Sequence, residues 1–321
     1  MRKNSQTLTT QSIPTLIKQL AIPASTGMFF NTMYNVVDTF YAGLISTQAI
    51  SALTLSFMIF FLIIGFGYGF SSAITALLGN AFGKKKYKLA TIYAHKGLIF
   101  VPLIGVILSL IGYFFAPSLF ILLGAKEDYL NLSLEYINPI LFGSVFFMFN
   151  FSLNSILVAT GDTKTYRNSL IFGFFANLVL NPLLMYGFLF IPAMGLSGIA
   201  IATVLIQIIN MGYLLYKVLQ TKLIHFEKLD YFSPNFKVYK QFLNQGIPSS
   251  LNMLTMGIGS LILTYFVSHY GVNAVAGYGI GFRVEQLMLL PALGLSTAVL
   301  ALVSNNYGAK RYDRVIETMK V

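Results

Sequence analysis

The sequence contains no cysteine and no tryptophan, and charged residues make up only 10% of it. The absence of cysteine excludes disulfides, thiolate metal sites and thiol nucleophiles. Soluble domains carry about a quarter charged residues. The scarcity of charge, together with 56% hydrophobic residues and a mean hydropathy of +0.73, therefore excludes a soluble globular protein. No HExxH motif or histidine cluster occurs, so we predict that the protein is not an enzyme and needs no cofactor.

Long apolar runs take the place of the missing charge. A transmembrane helix needs about 20 consecutive apolar residues to cross a hydrocarbon core of about 30 Å. Runs of this length recur throughout the chain and leave no room for a large soluble domain. We predict an all-α, polytopic transmembrane bundle with eight spans at residues 16–44, 50–80, 89–116, 132–159, 168–190, 196–219, 242–270 and 274–304.

The formal net charge of +11 is distributed as a membrane topology signal. Basic residues cluster in the short loops between apolar spans, which is typical of cytoplasmic loops and does not indicate nucleic-acid binding. With the N-terminus placed inside, 19 of the 21 Lys and Arg residues fall on the cytoplasmic side, Lys126 falls outside and Arg283 lies within a span. We predict that both termini of this chain are cytoplasmic.

An internal repeat relates the two ends of the chain. Residues 22–90 align with residues 247–315 without a gap, so that spans one and two recur as spans seven and eight. Six spans separate the copies, and six is even, so both copies cross the membrane in the same direction. Parallel repeats of this kind build two-lobed transporters with the substrate between the lobes. Identical pairs include Pro23 with Pro248, Gly69 with Gly294, Asn80 with Asn305 and Gly83 with Gly308.

The repeat predicts the domain organisation. We expect a first lobe of six spans over residues 1–220, a cytoplasmic linker over 221–241 and the start of a second lobe over 242–321. A second lobe that mirrors the first requires about four more spans than the chain contains. We therefore expect the sequence to be part of a longer protein.

Polar residues within the spans form stripes at helical spacing. Polar groups at bilayer depth cost a few kcal/mol, so each needs a partner or a function. Amides can join neighbouring helices or line a polar interior, and both interpretations stay open for most of them. We expect a function for Asp38, because its counterpart in the repeat is Leu263. The stripes comprise Asn31, Asn35 and Asp38; Asn177 and Asn181; and Thr203, Gln207 and Asn210.

Several segments of the chain resemble the MATE (multidrug and toxic compound extrusion) family, in particular its NorM and DinF branches. They read IPASTGMFFNTMYNVVDTFYAGL, LVATGDTKTYRN, NLVLNPLLMYG and GYGIGFRVEQLMLLPALGLSTA, in the family's order. The resemblance implies a bundle of two lobes and twelve helices in the bacterial inner membrane. It also implies export of amphipathic, often cationic, small molecules in exchange for protons or sodium. We expect a monomer.

The resemblance also implies a cation- or proton-coupling site. The matching positions are Asp38, Asn177, Asn181 and Thr203. The family often has aspartate where this chain has Asn181, which leaves one carboxylate instead of two and favours protons over sodium. Pro23 matches a proposed bending point of the first helix, although a static kink explains it equally well.

Other polar residues are candidates for the substrate cavity. Arg283 and Glu285 have no polar counterparts in the repeat and, two residues apart on a helix, point in different directions. Glu285 either lines the cavity or pairs with a basic residue of a neighbouring span. The complete candidate set is Asn31, Tyr34, Asn35, Gln207, Arg283 and Glu285.

The main competing function is a lipid-linked oligosaccharide or polysaccharide flippase of related architecture. A cavity for pyrophosphate is expected to contain several Lys or Arg residues, whereas only Arg283 lies within a predicted span. A channel would need a filter or a ring of charge, and the sequence supplies neither. We therefore predict a cation-coupled antiporter.

Overall fold

The protein is described here by a computed structural model covering residues 7–225, 231 and 233–321. This part of the chain is almost entirely helical, apart from a single bridge between Phe188 and Ile191. Its long helices follow one another through short connections. They are α1 (Ile13–Ile45), α2 (Thr47–Gly83), α3 (Tyr87–Leu122), α4 (Glu127–Ala159), α5 (Lys164–Tyr186), α6 (Gly195–Gln220), α7 (Phe236–Ser268), α8 (Val272–Gly308) and the short α9 (Tyr312–Lys320).

The helices α1 to α8 coincide with the eight predicted spans, which confirms the all-α transmembrane fold. Within the described ranges, however, only seven helices are both long and apolar enough to cross a membrane, and α1 is not among them. At 33 residues α1 is about 50 Å long. Its polar stripe contains Asn31, Asn35 and Asp38, and the assignment of α1 as a membrane span stays a prediction.

Local signals move several helix ends away from their predicted positions. Helix α5 ends at Tyr186 and not at residue 190, because Gly187 follows with φ +78°, which L-residues rarely adopt. Helix α7 begins at Phe236 and not at 242, because the Asn235 side chain accepts a hydrogen bond from the Val238 N–H at 3.2 Å. This is the usual action of an N-cap asparagine.

Helix α2 forms the centre of the bundle and packs against α3, α4, α7 and α8. Most of its residues are buried, including Leu55, Phe70 and Leu78. Helix α3 lies at the periphery. Large apolar residues repeat along it at helical spacing and are exposed, as expected for a face against lipid: Leu103, Val106, Ile107, Leu110, Ile111 and Phe114.

Equivalent positions of the repeat contact one another reciprocally. A Cβ on Gly69 would meet Ser250, and a Cβ on the equivalent Gly294 would meet Ser25, the equivalent of Ser250. The loops after α2 and α8 also share one backbone geometry, since Lys85 and Lys310 occupy equivalent positions with φ 58° and 60°. These contacts place α1 and α2 against α8 and α7 about an approximate two-fold relation.

The connection after α6 contacts the start of α3. The His95 imidazole accepts a hydrogen bond from the His225 N–H at 3.0 Å, and the Lys96 ammonium donates to the carbonyls of Tyr231 and Ser233. Residues 226–230 and 232 of the predicted linker, including Lys228, lie outside the described residues, as do Arg2 and Lys3. The lobe and linker boundaries stay predictions.

Candidate functional site: a buried carboxylate between three helices

Three helices of the first six place polar side chains against one another in the interior. Helix α1 packs against α5 and α6, and α5 packs against α6. Asp38 lies on α1, Asn177 and Asn181 lie one turn apart on α5, and Thr203 lies on α6. All four side chains are buried, with Asp38 only 2% exposed.

The Asp38 carboxylate accepts hydrogen bonds from both α5 amides. The Nδ2 atoms of Asn177 and Asn181 each lie 2.8 Å from Asp38 Oδ1. The Thr203 hydroxyl lies 3.4 Å from Oδ2, at the long limit for a hydrogen bond. One carboxylate oxygen is thus well satisfied, whereas the other is weakly held and is the atom better placed to accept a proton or a cation.

Tyr34 extends this cluster by one helical turn of α1. Its hydroxyl donates to Thr203 Oγ1 at 2.9 Å, and the ring is buried. The structure therefore brings Tyr34 and the four predicted coupling residues into one hydrogen-bonded network. The two amides also bond to each other at 3.2 and 3.4 Å. Each amide has both a donor and an acceptor group, so it can donate to the charged carboxylate or accept from the protonated acid.

Asn31 and Asn35 do not join this network, although they share the stripe of Asp38. Asn31 is exposed, and Asn35 Nδ2 donates to the Asn31 carbonyl at 2.9 Å, within the same helix. Seven residues along a helix correspond to a rise of about 10 Å, so Asn31 lies at a different depth from Asp38. Asn31 and Asp38 thus share a helix face without sharing a hydrogen-bonded cluster, and a role of Asn31 and Asn35 in a substrate cavity stays a prediction.

Gln207 connects two helices and does not contact Asp38. Its side-chain Oε1 and its carbonyl accept from Asn150 Nδ2 on α4 at 2.8 and 3.0 Å. The structure thus favours the interpretation of Gln207 as an interhelical tie. Asn150 was not among the predicted residues, because nothing in the spacing of α4 distinguishes it from other polar positions.

Arg283 and Glu285 are in different environments. Glu285 is exposed, and no described basic residue forms an ion pair with it. Arg283 is 5% exposed and lies close enough to Asp38 and Tyr136 for a Coulombic interaction with each. The charge of Arg283 on α8 is thus within Coulombic range of Asp38, although the two form no ion pair among the described residues. The sequence did not indicate this, since 245 positions separate the two residues. Tyr136 was likewise missed.

Pro23 lies inside α1, and the helix continues through it. Proline lacks the N–H that would bond to the preceding turn, and the Thr26 hydroxyl bonds to the Ile22 carbonyl at 2.8 Å beside it. The predicted role of Pro23 as a hinge stays a prediction.

The fold and this site together define a multi-pass helical membrane protein with a buried ionisable centre, which is the usual arrangement of ion-coupled transport proteins. Comparison with known proteins specifies the class further. The sequence model of the MatE family matches residues 23–183 and 248–321. The chain belongs to this family, which confirms the resemblance to MATE proteins inferred from the sequence.

Two relatives and one solved structure illustrate the match. The chain is 30% identical over 280 residues to a probable multidrug resistance protein, YoeA, of Bacillus subtilis, covering 86% of this chain and 60% of that protein. It is 24% identical to an FAD transporter of Shewanella oneidensis, over 99% and 70% of the two chains. A MOP superfamily transporter from Pyrococcus furiosus superposes with a TM-score of 0.86 at 28% identity, over 98% and 69%.

These comparisons confirm that the chain is a membrane protein related to transporters and not to enzymes. The chain spans about 60% of the length of the Bacillus relative. The assignment to the NorM or DinF branch stays a prediction.

Proposed function

We propose that this protein is a secondary transporter that exports small amphipathic or cationic molecules in exchange for an inward-moving cation. The observation that carries the proposal is the buried Asp38 carboxylate, held by amides from α5 in a protein of the MatE family. An ionisable group at this depth is costly unless it has a function or a partner. Coupling at Asp38 supplies that function.

The chemistry of the site favours a proton as the coupling ion. Among the described residues, Asp38 Oδ2 has only the long contact to Thr203, so a proton can bind there while Oδ1 keeps its two amide donors. Sodium is the second candidate, because the carboxylate, amide and hydroxyl oxygens are all hard ligands. A single carboxylate gives sodium less charge compensation than a pair, which is why we place the proton first.

One net charge moved inward per cycle, as when a proton enters while a neutral molecule leaves, is enough to drive substantial export. A membrane potential contributes roughly 2.3 kcal/mol per charge per 100 mV, which corresponds to a concentration ratio of about 50-fold. Neutralisation of Asp38 by the incoming ion changes the hydrogen bonds between α1, α5 and α6. It would thereby favour a different packing of these helices.

The decisive test is the Asp38→Asn variant, which resembles the protonated acid in shape but cannot cycle. We expect ion-driven efflux of an ethidium-like dye from everted vesicles to be lost, with membrane insertion unchanged. The control is Asp313→Asn, which removes an exposed carboxylate and should keep the wild-type rate. Wild-type efflux in the Asp38 variant would rule out Asp38 as the coupling residue.

An anionic cargo is the second candidate function. One relative is named an FAD transporter, and FAD carries phosphate groups. A flippase for lipid-linked sugars also handles phosphates, and the buried Arg283 favours some anionic chemistry. Competition by flavin nucleotides for dye efflux would indicate such a cargo.

A further inference from the structure

Arg283 is buried in the first half of α8. It is 11 residues from the start of this 37-residue helix at Val272, about 16 Å along its axis. Only 5% of the residue is exposed. A buried guanidinium keeps its charge and therefore requires hydrogen-bond acceptors or a counter-ion.

The guanidinium is anchored on one side only. Nη1 donates to the Gly279 carbonyl at 3.0 Å, one turn earlier in α8. The Cζ atom lies 5.7 Å from the centre of the Phe57 ring on α2, at cation–π distance. Nε and Nη2, both buried, have no hydrogen-bond partner among the described residues. The N–H bond of Nε and one N–H bond of Nη2 lie on the same edge of the planar guanidinium and point outward side by side.

That edge is one of the two that bind carboxylates and phosphates in a bidentate manner. No described acidic residue lies within ion-pair distance of it. Asp38 already accepts from Asn177 and Asn181, and Glu285 is exposed. The anchor on Gly279 and the contact with Phe57 hold the free edge in a fixed orientation, which lowers the entropic cost of binding an anion.

We propose that Arg283 is a binding site for the carboxylate or phosphate group of a transported small molecule, held by its Nε and Nη2 groups. This rests on the proposed transport function and names a chemical class of cargo for it. The free edge is covered in this conformation, so the anion enters when α8 and α2 separate where Gly279 meets Thr54. The anionic group of the cargo is then bound by Arg283 on α8, within Coulombic range of Asp38 on α1.

The absence of tryptophan permits a direct binding test. Phe57→Trp introduces a single tryptophan beside Arg283, whose fluorescence can be followed in the purified protein in nanodiscs. The probes are benzoate and phenyl phosphate, with the nearly isosteric but neutral benzamide as the comparison. We expect a saturable change in fluorescence with at least one anion. The affinity for benzamide should be weaker by a factor of at least about ten.

Two further variants assign the effect to Arg283. Arg283→Gln in the same background should weaken anion binding about tenfold or more, whereas Arg311→Gln, an exposed arginine beside Asp313, should not. Equal binding in the Arg283 variant, or no response to either anion, would overturn the proposal. If Phe57→Trp does not fold, the rise in unfolding temperature of the unmodified protein with benzoate, and its loss in Arg283→Gln, is the equivalent readout.

The binding assay requires no ion gradient and no transport. A negative result in the binding assay would therefore not affect the Asp38 efflux test. Loss of coupled efflux in Asp38→Asn would likewise not predict whether anions bind at Arg283. The two proposals can thus fail separately.

Discussion

At the scale of single residues, the site is defined by one acid and its amide partners. Asp38 Oδ1 receives two donors from α5, and both come from asparagines. Asparagine at position 181 supplies a donor where an aspartate would supply a second negative charge. We expect this difference to influence which ion the proposed site prefers, because a buried carboxylate pair is stable only with a proton or a cation between its members.

Asn181→Asp is therefore expected to make the site sodium-responsive. Its carboxylate would face that of Asp38 across a distance now bridged by a 2.8 Å hydrogen bond, and a cation would relieve the repulsion. We expect sodium to stabilise the variant by about 1–3 kcal/mol when it is well above its dissociation constant, measured as a rise in unfolding temperature against choline.

Asn168→Asp provides the matched control for this change. It makes the same substitution on the same helix at an exposed position and should show no sodium effect. The hypothesis is wrong if sodium stabilises the wild-type protein as strongly as the Asn181 variant.

At the scale of helices, the backbones of α2 and α8 approach each other closely at their C-terminal ends. A Cβ on Gly83 would lie 2.1 Å from the Asn305 carbonyl oxygen, and one on Gly308 would lie 2.3 Å from the Asn80 carbonyl oxygen. Both obstacles are backbone atoms, which cannot move aside as a flexible side chain can. Equivalent glycines of the repeat therefore allow the two helix ends to meet.

Gly83→Ala should lower the stability of the protein. The added methyl group must push α2 and α8 apart, and overpacking of this kind typically costs about 1–3 kcal/mol. The unfolding temperature in detergent measures the effect. Gly212→Ala on α6 is the control, since no described atom lies within 4 Å of a Cβ added there, and alanine should be neutral or gain up to about 1 kcal/mol. A Gly83 variant as stable as the wild type would show that this contact is unimportant.

At the scale of the whole molecule, the distribution of positive charge predicts the orientation in the membrane. Equivalent basic loops follow α2 and α8, and Lys126 lies in the connection between α3 and α4. The positive-inside rule places the first two loops in the cytoplasm and Lys126 outside. We therefore propose that both termini of this chain are cytoplasmic.

The lack of cysteine makes this orientation simple to test. Single cysteines in place of Lys86, Lys126 or Lys310, all exposed, can be labelled with a membrane-impermeant maleimide. We expect labelling of Lys126→Cys in intact cells and of the other two only after permeabilisation. Labelling of Lys86→Cys and Lys310→Cys on opposite sides would contradict the parallel repeat.

The sequence predicted much of the fold and the members of the central cluster. Apolar length and composition give the helices, because lipid requires them, and the repeat relates the first two helices to the last two long ones. Asp38, Asn177, Asn181 and Thr203 were selected by family resemblance, and the structure brings their side chains together. Their coupling role stays a proposal.

Helical spacing by itself determined which residues share a face, but only the tertiary structure decided what each face meets and at what depth. Asn31 and Asp38 share a stripe yet have different surroundings, Gln207 is joined to Asn150, and Arg283 lies near Asp38 across 245 positions of sequence. The physical reason is that a helix fixes direction and rise along its own axis, whereas the packing of neighbouring helices fixes which side chains become partners.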